Sequence, residues 1–309
     1  MKLSVVVPCY RSAATLPELT QRLGTSLAAL VSSGAIEDFE TILVVDGDLD
    51  GTGAAADRCA EGEGHVSVIH LRRNFGQHNA LLAGIRLAEG DVIVTLDDDL
   101  QHPPEEIGKL IAPLEDARVD LVYALPEVEE HGFFRSFASR TVKKALSLAG
   151  VANAEWVGAF RAFRTELREG FSQVNDSQVN LDVLLSWTTA SVVPVTVSMD
   201  RRETGRSSYS VLRLAKHAMN MITGYGSAPL TLATWLGFIC GAFGLIMLLT
   251  IGVRFLLGYN TVAGYTTMAG MISLFAGAQM LTIGIIGEYL GRQHLRSMGR
   301  PTYLVRKKN

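Results

Sequence analysis

The pattern of apolar and polar positions changes character near residue 200. Before it, short β-branched runs alternate with stretches of helical spacing. Residues 3–8 form one such run. Leu16, Leu19, Leu23, Leu27 and Leu30 follow, three or four apart, as one face of a helix. Residues 39–45 read as a second strand followed by an alanine-rich helix, and 66–71 as a third strand. Residues 79–88 are helical, and 92–96 form a fourth strand that runs into a row of aspartates. Strands alternating with helices predict an α/β fold with a mostly parallel sheet. Ligands of such sheets bind outside the carboxyl ends of the strands. Chemistry is therefore expected in the loops at 8–12, 46–52, 72–79 and 97–104.

After residue 200 the pattern is that of a membrane. No Asp, Glu, Lys or Arg occurs from 217 to 253, and after Arg254 none occurs until Glu288. Two spans fit, 229–253 and 266–287, each meeting the roughly 20 apolar residues a bilayer needs. The segment 258–265 between them predicts a hairpin with both ends on one side. Glu288 is expected to pair with Arg292 at helical spacing. A buried hairpin of a soluble domain is the competing explanation, but two adjacent uncharged runs of this length disfavour it.

Charge sharpens the division. Of the 309 residues, 1–200 hold 16 basic and 29 acidic side chains, net −13, while 201–309 hold 12 and 2, net +10. The whole-chain charge of −3 and the 19% of charged residues average two unlike parts. Arg201, Arg202, Arg206, Arg213 and Lys216 precede the first span. Arg292, Arg296, Arg300, Arg306, Lys307 and Lys308 follow the second. The positive-inside bias then puts both termini in the cytoplasm. Four segments are expected: a domain at 1–200, a juxtamembrane segment at 201–228, the spans within 229–290 and a basic tail at 291–309. Basic, apolar stretches at 133–148 and 209–221 read as helices for a membrane interface or for the domain's own core. Cys9, Cys59 and Cys240 form neither a CxxC nor a zinc pattern. The N-terminus is too short and β-branched for a signal peptide.

Two motifs compete for the chemistry. Gly51-Thr-Gly53-Ala-Ala-Ala56 matches a dinucleotide fingerprint. However, Asp46, Asp48 and Asp50 crowd the same loop and would repel a pyrophosphate. The stronger candidate is Asp97-Asp98-Asp99-Leu100-Gln101. Adjacent carboxylates at a strand end repel unless a cation neutralises them, and oxygen donors suit Mg²⁺ or Mn²⁺. In an extended segment Asp97, Asp99 and Gln101 share one face while Asp98 points away. A cation there could bridge a diphosphate leaving group. Pro103-Pro104 and Glu105-Glu106 also suit a helix start.

The segment TLDDDLQHPPEEI resembles the DxDLQxPPE signature of family 2 glycosyltransferases, polyprenyl-phosphate branch. SVVVPCY, VVDGDLDGT, RRNFGQHNALLAG, GAFRAFR, RRETGRSSYS and GEYLGR follow that branch's order, and the resemblance spans nearly the whole chain. It implies a GT-A, Rossmann-like catalytic domain on the cytoplasmic face of the cell membrane. It also implies transfer of one sugar, with inversion, from a nucleotide-diphosphate donor, UDP-linked rather than GDP-linked, to undecaprenyl phosphate. Mg²⁺ or Mn²⁺ would be the cofactor. No nucleic-acid partner is expected, and self-association is left open.

The resemblance also distributes roles. Pro8 and Tyr10 match the nucleotide loop, although Arg11-Ser12 replace the usual Asn-Glu. Asp46 and Asp48 compete for the nucleobase-reading position. Asn74, Gln77 and His78 match the donor pocket, His78 standing equally as a helix-start residue. Asp97, Asp98 and Asp99 match the donor and metal loop, with Asp97, Asp99 and Gln101 as metal ligands and Asp99 also catalytic. Ala159 stands beside the FR motif where a carboxylate is usual, which leaves Glu155 as base or acceptor-orienting group. Arg161, Arg164, Arg202, Arg206 and Ser207 match the acceptor-phosphate side, and Ser208 replaces a lysine. These departures keep a non-catalytic membrane paralogue as the alternative, together with a GDP-mannose-using enzyme. A processive synthase is excluded by the missing QxxRW motif and too few spans.

Overall fold

The structure, a computed structural model, describes residues 1–48, 50–127, 146–147, 151, 153–177, 179–199, 223–257 and 264–307. Strand β1 (Lys2–Cys9) is buried along nearly its whole length, which explains its continuous apolar run. It pairs in parallel with β2 (Asp38–Val45) and β4 (Val92–Thr95), and β2 pairs in parallel with β3 (Val66–His70). Beyond β4 come β5 (Leu121–Pro126), β6 (Arg161–Arg164) and β7 (Val192–Val197), giving the order β3-β2-β1-β4-β6-β5-β7. Among the described strands, only β6 is antiparallel to its neighbours.

Side-chain alternation along β1 divides the core between the two faces. Leu3, Val5 and Val7 face α1 (Leu16–Ser32), whose Leu16, Leu19, Leu23 and Leu27 are buried as the spacing predicts. Val6 faces α3 (Gln77–Leu87) on the other side, with α5 (Leu181–Thr188) beyond it. A Cβ on Gly84 would lie 2.4 Å from Val6 Cγ1, so α3 rests directly on β1. The remaining helices, α2 (Thr52–Ala60) and the short α4 (Ile107–Ile111), follow β2 and the aspartate loop. Leu146, the buried residue of the 133–148 stretch that is described, packs with Val183 of α5. Apart from the exposed Ser147, the rest of that stretch and 209–221 lie outside the described residues.

Two long helices follow, α6 (Ala228–Leu256) and α7 (Tyr265–Ser297). Both are long and apolar enough to cross a membrane, with mean hydropathy of 2.2 over Ala228–Ile251 and 1.3 over Leu274–Ser297. Gly244 lets them touch, since a Cβ there would lie 3.1 Å from the Phe275 ring. The second helix does not stop at 287 as expected. Its 33 residues extend about 50 Å, well beyond a hydrocarbon core of about 30 Å. The excess carries Glu288, which pairs with Arg292 at 2.8 Å as the spacing requires.

The end of α7 is fastened to the N-terminal domain. Arg296 bonds Asp176 at 2.7 Å, while Tyr289 donates to Gly226 O at 2.7 Å and so ties α7 to the segment just before α6. The expected basic tail is also ordered. Thr302 is buried, Tyr303 packs against the α3 face, and Val305 bridges Leu71 beside β3. The charged residues of the tail masked its short strand-forming run, Tyr303-Leu-Val305.

Candidate active site

The parallel strands β1, β2 and β4 end together, and the expected loops converge there. Pro8 lies within β1. Cys9 O accepts from Asp46 N at 2.9 Å, so the backbone of Cys9 faces β2 and that of Pro8 faces the β4 side. Pairing with β4 ends at Val6, so the N–H that proline lacks is not missed there. Tyr10 N donates to Asp98 Oδ2 at 2.9 Å. Arg11 is held at φ 58°, with its guanidinium 5.4 Å from the Tyr10 ring centre.

Asp46 is buried, and its two oxygens accept from Phe75 N at 2.7 Å and Gly76 N at 2.8 Å. Burial pushes its carboxyl above the usual range, against the pull of those two bonds. Asp48 accepts from Gly51 N and Gly53 N at the start of α2, while Asp50 accepts from Thr52 Oγ1. The competition between Asp46 and Asp48 thus takes a different form: each is engaged by backbone N–H groups and shapes a loop. Gly47, at φ +81°, makes this possible, since a Cβ there would lie 2.6 Å from Asn74 N.

The aspartate loop bends instead of continuing the strand. Leu100 is at φ 61°, so the alternation expected of an extended 97–101 segment does not apply. Asp97 Oδ1 accepts from Gln77 Nε2 at 2.5 Å, and Asp99 Oδ1 accepts from Gln101 N at 3.2 Å. Asp98 turns inwards to Tyr10; burial, reinforced by the charge of Asp97, pushes it up to about 6. Among the described residues, no three His, Cys, Asp or Glu side chains group to hold a metal. The donor types remain suitable for a hard cation: the carboxylates of Asp97 and Asp99 and the side-chain amide of Gln101 are hard oxygen donors, of the kind that binds Mg²⁺ together with substrate phosphates.

One participant of this loop escaped the sequence reading as a site residue. His102 Nδ1 accepts from Asp97 N at 3.2 Å and its ring lies 5.4 Å from that of Phe160. Burial, helped by Arg161 and opposed by Asp99, lowers its pKa to about 4, so it is neutral near pH 7. Its place five residues after Asp97 was the available signal.

The two arginines of β6 separate. Arg161 pairs across the sheet with Thr95 at the loop end of β4, whereas Arg164 pairs with Val92 at the opposite end. They do not form one phosphate clamp, because residues three apart on a strand face opposite sides. Arg161 is buried, donates to Thr95 Oγ1 at 2.9 Å and is bonded to Asp182, which also accepts from Tyr123 at 2.9 Å. Arg164 donates to the carbonyls of Leu114, Asp116 and Val119. Its role is therefore to fasten the loop before β5, and the expectation that it touches an acceptor phosphate is corrected.

His78 Nδ1 accepts from Leu181 N at 3.2 Å, fixing the start of α5 to α3. Glu155 is exposed in the turn before β6, and Asn74 is exposed beside Gly47. Arg202, Arg206, Ser207 and Ser208 lie outside the described residues.

A mostly parallel sheet with carboxylates at the exit of its fourth strand, followed by two apolar C-terminal helices, is the arrangement expected of a GT-A glycosyltransferase. The family model of glycosyl transferase family 2 matches residues 4–171, and the chain belongs to that family. Among curated relatives, the undecaprenyl-phosphate 4-deoxy-4-formamido-L-arabinose transferase of Proteus mirabilis (strain HI4320) is 33% identical over 310 residues, covering 99% of this chain and 93% of that one. The enzyme of the same name from Enterobacter sp. (strain 638) is 32% identical with the same coverage. Among solved structures, glucosyl-3-phosphoglycerate synthase from Mycobacterium tuberculosis, with Mn²⁺, UDP-glucose and phosphoglyceric acid, superposes with a TM-score of 0.52. It is 16% identical and covers 72% of this chain and 79% of its own.

Proposed function

We propose that this chain transfers one sugar from a nucleotide-diphosphate donor, a UDP-sugar, to undecaprenyl phosphate with inversion. The reading is carried by the identity to undecaprenyl-phosphate transferases, which extends over 99% of the chain and so includes both long helices. In this reaction a phosphate oxygen of the acceptor attacks the anomeric carbon. The bond from that carbon to the diphosphate breaks, and the nucleoside diphosphate leaves with the electron pair. The acceptor phosphate is already largely ionised near pH 7, so positioning and neutralisation of the leaving group matter more than proton removal.

Asp97, Asp99 and Gln101 would hold Mg²⁺ or Mn²⁺, which supplies charge to the departing diphosphate. Gln77 fixes the orientation of Asp97, and Asp98 holds the nucleotide loop through Tyr10 N. Asp46 and Asp48 shape the donor pocket through the loops they bind. Glu155 orients the acceptor, with Arg202, Arg206 and Ser207 on its phosphate and Arg161 supporting the pocket floor. The active site faces the cytoplasm, with α6 and α7 crossing the cell membrane.

A panel of radiolabelled nucleotide sugars tests this reading, incubated with membranes carrying the chain, undecaprenyl phosphate and Mn²⁺ or Mg²⁺. The expected result is lipid-phase label from at least one donor, lost on Asp99→Asn. No lipid-phase label from any donor, with no metal-dependent binding of a nucleoside diphosphate, would overturn it.

A further inference from the structure

The ordered C-terminal tail meets the N-terminal domain at a functionally charged place. Val305 bridges Leu71 in antiparallel fashion, flanked by two backbone hydrogen bonds. Arg72 N donates to Leu304 O at 2.9 Å, and Arg306 N donates to His70 O at 2.7 Å. Just before this bridge, the Tyr303 ring lies 5.6 Å from the guanidinium of Arg86 on α3. The tail thus pairs with the chain where it leaves the outermost strand, β3.

The loop it grips leads straight to the candidate site. Arg72 begins a segment whose Phe75 and Gly76 N–H groups are held by Asp46. Gln77, the next residue, bonds Asp97. The loop therefore has one anchor from β2 and a second from the tail. The tail is in turn only four residues from the end of α7, which Arg296 ties to Asp176. A covalent and hydrogen-bonded path thus runs from the second long helix to the aspartate loop.

We propose that residues 302–306 act as a backbone clamp that positions the 72–77 loop for the donor. This proposal rests on the donor-site reading above. Leu304 and Arg306 are positioning residues, acting through main-chain groups and not through their side chains. Losing one or two such bonds at a loop that must be preorganised should weaken donor binding by about three- to tenfold.

The test compares the full chain with one ending at Met298 and with two point variants, all in membranes. Arg306→Pro removes the N–H that His70 O accepts; Arg306→Ala keeps it. The clamp predicts a three- to tenfold rise in donor KM for the truncation and for Arg306→Pro, with kcat within about twofold. Arg306→Ala should match the unaltered chain. A synthetic peptide of residues 300–309 should lower the KM of the truncated chain. Hydrogen exchange at the amides of residues 72–76 should quicken in the truncation and in Arg306→Pro. Unchanged KM and unchanged exchange in both would overturn the clamp, as would equal effects of Pro and Ala at 306. If the full chain transfers no sugar, the donor-site reading fails, and the exchange measurement still decides whether the tail holds the loop.

Discussion

Asp97 and Asp99 leave β4 with like charge, and the loop they enter is already shaped by backbone bonds to their neighbours. Asp98 is turned towards Tyr10, so it cannot replace either of them. Asp99→Asn is therefore expected to lower turnover by about 10²-fold or more, while circular dichroism shows the fold unchanged. A chelator should abolish transfer, and Mn²⁺ or Mg²⁺ in excess should restore it; transfer undiminished by the chelator would rule out the cation. Gly47 offers a different kind of test. A methyl group there would meet Asn74 N at 2.6 Å in a backbone with φ +81°. Gly47→Ala must push the 73–76 loop away from β2. It should raise donor KM and cost about 1–3 kcal/mol of stability, measured as a shift in denaturation midpoint.

At the scale of elements, β6 is where the sheet reverses direction and where a charge is buried most deeply. Arg161 is 1% exposed, and Asp182 and Tyr123 close the network from α5 and β5. Removing one member leaves the other charge buried and unpaired. Asp182→Ala is expected to cost about 3–5 kcal/mol, and Tyr123→Phe about 1 kcal/mol, by denaturation of the detergent-solubilised chain. Equal effects of the two would mean that the ion pair is not the essential part. The first four strands were legible because each is a short apolar run bounded by polar loops. The strand at 161–164 was not: Arg-Ala-Phe-Arg has charges at both ends, and the resemblance placed both arginines on the acceptor-phosphate side although a strand turns them to opposite faces. The row of aspartates stood out as a candidate site because carboxylates at a strand end repel one another unless a cation neutralises them. The work done by Asp46 was not, because its partners Phe75 and Gly76 lie about 30 residues away and are backbone groups, which a side-chain pattern does not reveal.

For the whole molecule, the decisive feature is that both ends of the α6–α7 hairpin meet the same domain. Arg296 and the 302–306 segment reach the N-terminal domain after α7, and Tyr225, before α6, accepts from Asn180 N at 2.7 Å. If both helices cross the bilayer, these contacts require the domain and the C-terminus to lie on one side and the connecting turn on the other. The positive-inside bias of the flanking arginines and lysines predicts that the shared side is the cytoplasm. A cysteine introduced at Asn260, in a background with Cys9, Cys59 and Cys240 replaced, should react with a membrane-impermeant maleimide added to intact spheroplasts. A cysteine introduced at Ser297 should react only after permeabilisation. Labelling of both from outside would contradict the orientation. Labelling of neither before permeabilisation and of both after it would mean that the helices do not span. In the expected outcome, the acidic −13 part faces the nucleotide pool, and the +10 part holds it against the anionic inner leaflet. An acceptor lipid whose phosphate lies in that leaflet then reaches the site without leaving the membrane.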